Sequence, residues 1–465
     1  MIRVALAELR QDPRIWAGPL LVAAVATAFV YLAAAYWWTL GTPDGTKLIE
    51  DFGSTVTEAR TGSYMVYATT AIPAIVVLGT SSAATVSALS SRIARWRLTG
   101  ATPGQVRRAV TMQVLLVSAV GGLVGILVAT PFRQAAVDVL VRIATREEDT
   151  IPVANPLPAA LLALGASILV CAIAAFTPAR HAARIPAVQA IRASSEPART
   201  MPTSRWIVAG LLLLIFVPMI ITALGSVQTS SPRGADVSSA ATIALMSGVI
   251  LLALIATLAP ILVPPITRLW MGIVPARLAP SWFLARQSVT AYPRRTATAV
   301  IPPSIGIGLY GILFGIVATW QNALAQNGTT EQLNTLDTYV ILAPAAAITI
   351  AGSIASILIT TRTRTTEAAS IRIAGGSPRN LIGLAIAETI GYALTSIAIA
   401  IGVTAATTVT AAAMLTAGGL PTQPIIDFRQ MLLLGAIAAL VLLLVLLLPM
   451  LTAMRKSLRE TIATF

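Results

Sequence analysis

The sequence predicts an all-α polytopic membrane protein of ten transmembrane helices, arranged as two parallel four-helix repeats joined by a two-helix spacer. Three observations predict it. Hydrophobic residues make up 56% of the 465 and charged residues 11%, a balance outside that of soluble domains. Apolar stretches recur at the roughly 20-residue length a helix needs to cross a bilayer. The chain also repeats itself: Arg97-Leu98-Thr99-Gly100-Ala101-Thr102-Pro103 returns 275 residues later as Arg372-Ile373-Ala374-Gly375-Gly376-Ser377-Pro378, and Arg180-His181-Ala182-Ala183-Arg184 as Arg455-Lys456-Ser457-Leu458-Arg459.

The first repeat, residues 1–195, holds apolar spans at 17–40, 64–90, 110–130 and 157–177. Its N-terminal stretch has the layout of a secretory signal, but residues 281–320 repeat that layout in mid-chain, so 17–40 reads as a retained span. Residues 196–280 form a basic linker and two unmatched spans, 206–224 and 240–266. The second repeat, 281–465, holds spans at 297–320, 338–361, 381–413 and 431–453; Tyr292-Pro293-Arg294 opens it as Asp12-Pro13-Arg14 opens the first. Each repeat has an even number of spans, so the two run parallel about an axis along the membrane normal.

Orientation follows from charge, because cationic loops resist translocation. With both termini cytoplasmic, 25 of the 32 Lys and Arg fall on the cytoplasmic side. The formal charge of +14 therefore reports topology and contact with anionic lipid rather than nucleic acid.

Several chemistries lack their residues. Cys171 and His181 are the only cysteine and histidine, which excludes disulfides within the chain, cysteine-rich or multi-histidine metal sites and a histidine dyad. A phosphate-binding loop needs a lysine after glycine, yet Lys47 follows Thr46 and Lys456 follows Arg455. Coupled ion transport favours ionisable groups at mid-membrane. Glu388 comes nearest, about eight residues into the ninth span, and its repeat mate is Gln113; it reads as a polar strut between helices. No cofactor is expected in this chain, and an outside energy source is implied.

Between the second and third spans, Gly100 is placed to cap one helix and Thr102-Pro103 to start the next. The result is a tight elbow, repeated at 362–382. Gly121 and Gly125 form a GxxxG spacing in the third span, which reads as close helix packing. Glu147-Glu148-Asp149 reads as a solvated loop.

The elbow from Arg97 to Arg108 and the exit Pro178-Ala179-Arg180-His181-Ala182-Ala183-Arg184-Ile185-Pro186-Ala187-Val188-Gln189-Ala190-Ile191-Arg192 resemble the two signatures of FtsX-like permeases, the membrane subunits of MacB-type ABC transporters. The exit is degenerate in the second copy, with Ala453 at the place of Pro178. The ten-span arrangement is similar to the single-chain branch that includes bacitracin-type peptide resistance permeases. The resemblance implies a permease subunit of a bacterial plasma-membrane exporter or extractor for amphipathic or lipophilic substrates, such as an antimicrobial peptide, lipid or drug. It implies no catalysis in this chain; ATP and Mg would belong to a partner ATP-binding cassette ATPase homodimer. ATPase coupling would fall on Trp96, Leu98, Gly100, Thr102 and Pro103, and on Ile373, Gly375, Ser377 and Pro378. The family usually carries a large extracytoplasmic domain, and no outside loop here exceeds about 26 residues, too few for an independent one.

Aromatic residues gather toward the outside ends of corresponding spans: Tyr36, Trp37, Trp38, Tyr64 and Tyr67, then Tyr310, Phe314, Trp320 and Tyr339. They read either as an interfacial belt or as the wall of a substrate groove. Two other functions stay open: a signalling or scaffold protein acting with an ATPase on a sensor kinase or cell-wall hydrolase, and a proton-coupled transporter using Glu388.

Overall fold

A computed structural model describes residues 13–51, 55–145, 150–184, 203–229, 235–275, 280–326, 335–373, 375–417 and 419–455. These residues contain helices and no strand. Nine helices among them are long and apolar enough to cross a membrane, and a shorter apolar helix, Arg205–Ile221, coincides with the expected fifth span. The chain is a multi-pass helical membrane protein.

The first four crossings are α1 (Pro13–Thr39), α4 (Thr61–Ala88), α6 (Pro103–Ala129) and α8 (Pro156–Ala183). Shorter helices join them: α2 (Pro43–Asp51), α3 (Val56–Ala59), α5 (Ser90–Leu98) and α7 (Arg133–Thr145). Then come α9 (Thr203–Thr229), α10 (Ala235–Met271), α11 (Pro280–Ala291), α12 (Pro293–Gln326), α13 (Thr335–Ile373), α14 (Pro378–Ala417) and α15 (Phe428–Arg455). Apolar length anticipated the crossings. It did not anticipate α2 or α7, short helices whose stability comes from packing rather than from a membrane-length apolar run.

Packing divides the chain into two units, one made of residues up to 197 with Tyr339–Ile359, the other of the remainder. Sequence repeat and packing thus divide the chain differently at 339–359. That stretch of α13 puts Ile348, Ala351 and Ala355 against Val22 and Ala26 of α1 and Val77 of α4. Thr69 Oγ1 donates to the Ile341 carbonyl at 2.8 Å.

Within the first unit, α6 approaches α1 backbone to backbone. A Cβ on Gly121 would lie 2.7 Å from the Leu20 carbonyl oxygen, and one on Gly125 would overlap the Ala24 carbonyl. The GxxxG spacing is therefore a packing device. At the far end, α2, α7 and residue 151 close over α1, with Tyr36, Leu40, Ile49, Val137, Val141 and Ile151 in one apolar cluster. The described parts of the α1–α4 and α6–α8 connections pack on the bundle end.

In the second unit the close pair is α12 and α14, and here the glycines sit on the other helix: a Cβ on Gly315 would lie 2.6 Å from Thr408 Cγ2. Ser396, in the position of Gly121, donates to the Val300 carbonyl at 3.1 Å. Small residues on either partner solve the same problem.

Candidate functional site

Elbow one grows out of α5. Ile93 and Ala94 are buried among Ile15 and Trp16 of α1, Val106 of α6 and Ala179 of α8, so the helix is anchored to the bundle through its apolar side. Gly100 then takes φ 94°, the left-handed region where a Cβ is unfavourable. Its N–H donates to the Arg97 carbonyl at 3.2 Å and that of Ala101 to the Trp96 carbonyl at 2.9 Å, the paired bonds of a Schellman cap. Thr102 starts α6. Gln105 N–H donates to Thr102 Oγ1 at 3.3 Å and Thr102 N–H donates to Gln105 Oε1 at 2.9 Å, a reciprocal capping box. Pro103 takes the first helical position, where a missing N–H costs nothing.

Elbow two has the same glycine cap. Gly375 has φ 87°, its N–H donates to the Arg372 carbonyl at 3.0 Å, and Gly376 N–H donates to the Ile371 carbonyl at 2.8 Å. Ser377 Oγ accepts from Asn380 N–H at 3.3 Å, and Pro378 opens α14. Trp96 is half-buried against the α5 cluster, while Gly100, Thr102, Pro103, Gly375, Ser377 and Pro378 are exposed. Leu98 and Ile373 are 53% and 56% exposed. Each turn carries an exposed aliphatic residue at its tip.

At the opposite end of the first unit, Arg60 lies over the Trp37 ring at 4.1 Å, and Trp37 Nε1 donates to the Tyr64 hydroxyl at 3.3 Å. Trp38 is 5.5 Å from Trp37 between ring centroids. Trp38 and Tyr64 are exposed, as is Tyr339, while Tyr67 is half-buried in the cap cluster. In the second unit Tyr310 and Phe314 are buried, 6.0 Å apart, and Trp320 is half-buried. The sequence-derived aromatic set therefore resolves into a cluster of exposed Trp38 and Tyr64 with half-buried Trp37 and Arg60, and a buried Tyr310–Phe314 pair. Arg60 escaped the sequence reading because that reading followed aromatic residues alone.

A second repeated device went unseen. Thr39 Oγ1 donates to the Ala35 carbonyl at 2.7 Å and accepts from Ala154 N–H at 3.2 Å. Thr319 Oγ1 donates to the Gly315 carbonyl at 2.7 Å and accepts from Ile425 N–H at 3.1 Å. Each threonine ties a repeat's first span to the loop before its last span. Pro13 and Pro293 set the same offset, 280, which could have flagged the pair. Trp320 accordingly occupies the place of Leu40.

Glu388 is 1% exposed, accepts from Ser288 Oγ at 2.7 Å and lies 3.7 Å from Arg295. It bridges α11, α12 and α14, as a strut between helices does. No cluster of three or more His, Cys, Asp and Glu among the described residues could hold a metal. In the exit motif, Pro178 and Ala179 are buried and Arg180 lies over the Phe176 ring at 4.2 Å; residues 185–192, like Lys456 to Arg459, lie outside the described residues.

Long apolar helices joined by capped turns describe a multi-pass helical membrane protein. Residues 64–187 match the family model for the FtsX-like permease C-terminal domain. The match runs from the second span through elbow one and the fourth span into the exit motif. That stretch, about a quarter of the chain, is similar to an FtsX-like permease domain, a family whose members generally work with an ABC ATPase. No curated protein matches the chain.

Proposed function

We propose that this chain is the permease subunit of an ATP-driven exporter or extractor that takes amphipathic or lipophilic molecules from the outer half of a bacterial plasma membrane. A separate ATP-binding cassette homodimer docks at the two elbows, and ATP and Mg bind there, not here. The ten spans form two FtsX-like repeats, residues 1–195 and 281–465, about a spacer at 196–280. Both termini and both elbows are cytoplasmic. We place the chain in the MacB-type group, in the branch of single-chain peptide resistance permeases.

The observation that carries this reading is the same glycine cap in two turns 275 residues apart, each presenting an exposed aliphatic residue. A homodimeric partner would meet two matching contacts on one chain. The Trp37–Trp38–Tyr64 cluster supports entry of substrate at the opposite end, since indole and phenol rings offer both an apolar face and a polar tip. The partners of Glu388 support a structural role for it rather than proton coupling. The test is ATP hydrolysis by the purified chain in lipid vesicles, alone and after addition of a candidate ATP-binding cassette ATPase. Hydrolysis in the complex only is expected; turnover by the chain alone at an ordinary enzymatic rate contradicts the reading.

A further inference from the structure

Both elbows have buried apolar residues beside them, Ile93, Ala94 and Val106 at elbow one and Ala368 and Leu381 at elbow two. Elbow two adds an ion-pair network to that packing. Above elbow two, Arg295 Nη1 meets Glu367 Oε1 at 2.6 Å and Arg295 Nη2 lies 3.7 Å from Glu388 Oε1. The side chains of Arg295 and Glu388 are 11% and 1% exposed, that of Glu367 30%. Ser288 of α11 donates to the same Glu388 oxygen at 2.7 Å. One arginine thus joins α12 to α14 and to the end of α13, about 9 Å along the helix axis from Ile373 at 1.5 Å per residue.

That position is an unfavourable one for a cation on its own account. Arg295 lies in the first turn of α12, where the helix dipole opposes positive charge, and a buried ion holds its place only when paired. Glu367 holds the guanidinium by a hydrogen bond and Glu388 by charge, Arg295 Nε and Nη2 being buried without a hydrogen-bond partner. At these places the first repeat has Ile15, Arg92 and Gln113, and Gln113 Nε2 is buried without a hydrogen-bond partner.

We propose that Arg295, with Glu367 and Glu388, is the positioning group of elbow two, so that the second half of the permease adds a charged strut to apolar packing of the kind that holds elbow one. The mechanical meaning rests on the elbows being the coupling sites, but the strut itself is testable without an ATPase. The experiment is hydrogen exchange read by mass spectrometry on the full chain in lipid nanodiscs. It compares peptides spanning 371–381 and 96–106 in wild type, Glu367→Gln, Glu367→Asp and Arg295→Met. Glu367 is partly exposed, so its substitution leaves the buried Arg295–Glu388 pair in place. Loss of the strut converts elbow two from a held turn to a locally opening one, and about tenfold faster exchange at Gly375 and Gly376 is expected in Glu367→Gln. Glu367→Asp, which keeps the charge, restores most of the protection, Arg295→Met exceeds Glu367→Gln, and elbow one exchanges as in wild type throughout. Unchanged exchange at elbow two in Glu367→Gln, no rescue by Asp, or equal acceleration of elbow one overturns the proposal. A strut that passes this test while Ser377 fails to contact the ATPase would overturn the coupling reading instead.

Discussion

Leu98 and Ile373 are the last residues of α5 and α13, stand 275 positions apart, and are 53% and 56% exposed at the tips of two turns with the same hydrogen bonds. About half of each side chain is left uncovered by its own unit. Docking of the proposed ATPase surface there would bury it, at roughly 25 cal/mol for each Å² removed from water. The glycines beside them fix the angle at which that surface is met.

Gly100→Val and Gly375→Val test that angle. Both glycines have positive φ and no atom within 4 Å of a Cβ, so the cost is backbone strain of about 1–2 kcal/mol rather than collision. Membrane insertion and thermal stability should stay close to wild type, while stimulation of the ATPase by its permease falls severalfold. Wild-type stimulation in both variants at normal protein levels would remove the elbows from the coupling path.

Gly125→Ala and Gly165→Ala separate contact from propensity. A Cβ at Gly125 meets the Ala24 carbonyl, whereas one at Gly165 has open space around it. Thermal unfolding in detergent should show Gly125→Ala well below wild type. Gly165→Ala should match or exceed wild type, because Ala favours a helix over Gly by about 1 kcal/mol.

Trp38→Ala and Phe314→Ala divide the aromatic set. Trp38 is exposed and Phe314 is buried. In the reconstituted complex, Trp38→Ala should lower ATP hydrolysis stimulated by an amphipathic peptide or lipophilic drug more than basal hydrolysis. Phe314→Ala should act through stability, at about 3–5 kcal/mol for a buried ring. Normal stimulation in Trp38→Ala would leave that residue an interfacial anchor.

The spans and elbows were legible in the sequence because each rests on a local rule: apolar length for a crossing, glycine for a left-handed residue, threonine or serine before proline for a helix start. Positions that depend on distant partners were not legible. Arg295 counts in the sequence as one more basic residue of a cytoplasmic loop, and only the folded chain brings Glu367 and Glu388 to it. Thr39 is one hydroxyl among many until Ala154 reaches it. Tyr310 and Phe314 looked like outer-end aromatics by their place in a span, but burial depends on what surrounds α12. The packing of 339–359 with the first unit is a nonlocal choice that repeat spacing does not encode.

The most direct measurement is site-directed crosslinking in the assembled complex, with a photoreactive group placed at Thr102, at Ser377 and, as a control, at Thr422 in the loop before α15. Both elbow positions are exposed next to the glycine turns. The account predicts that Thr102 and Ser377 each capture the ATPase and that Thr422 does not. Capture from other loops with neither elbow labelled would contradict it.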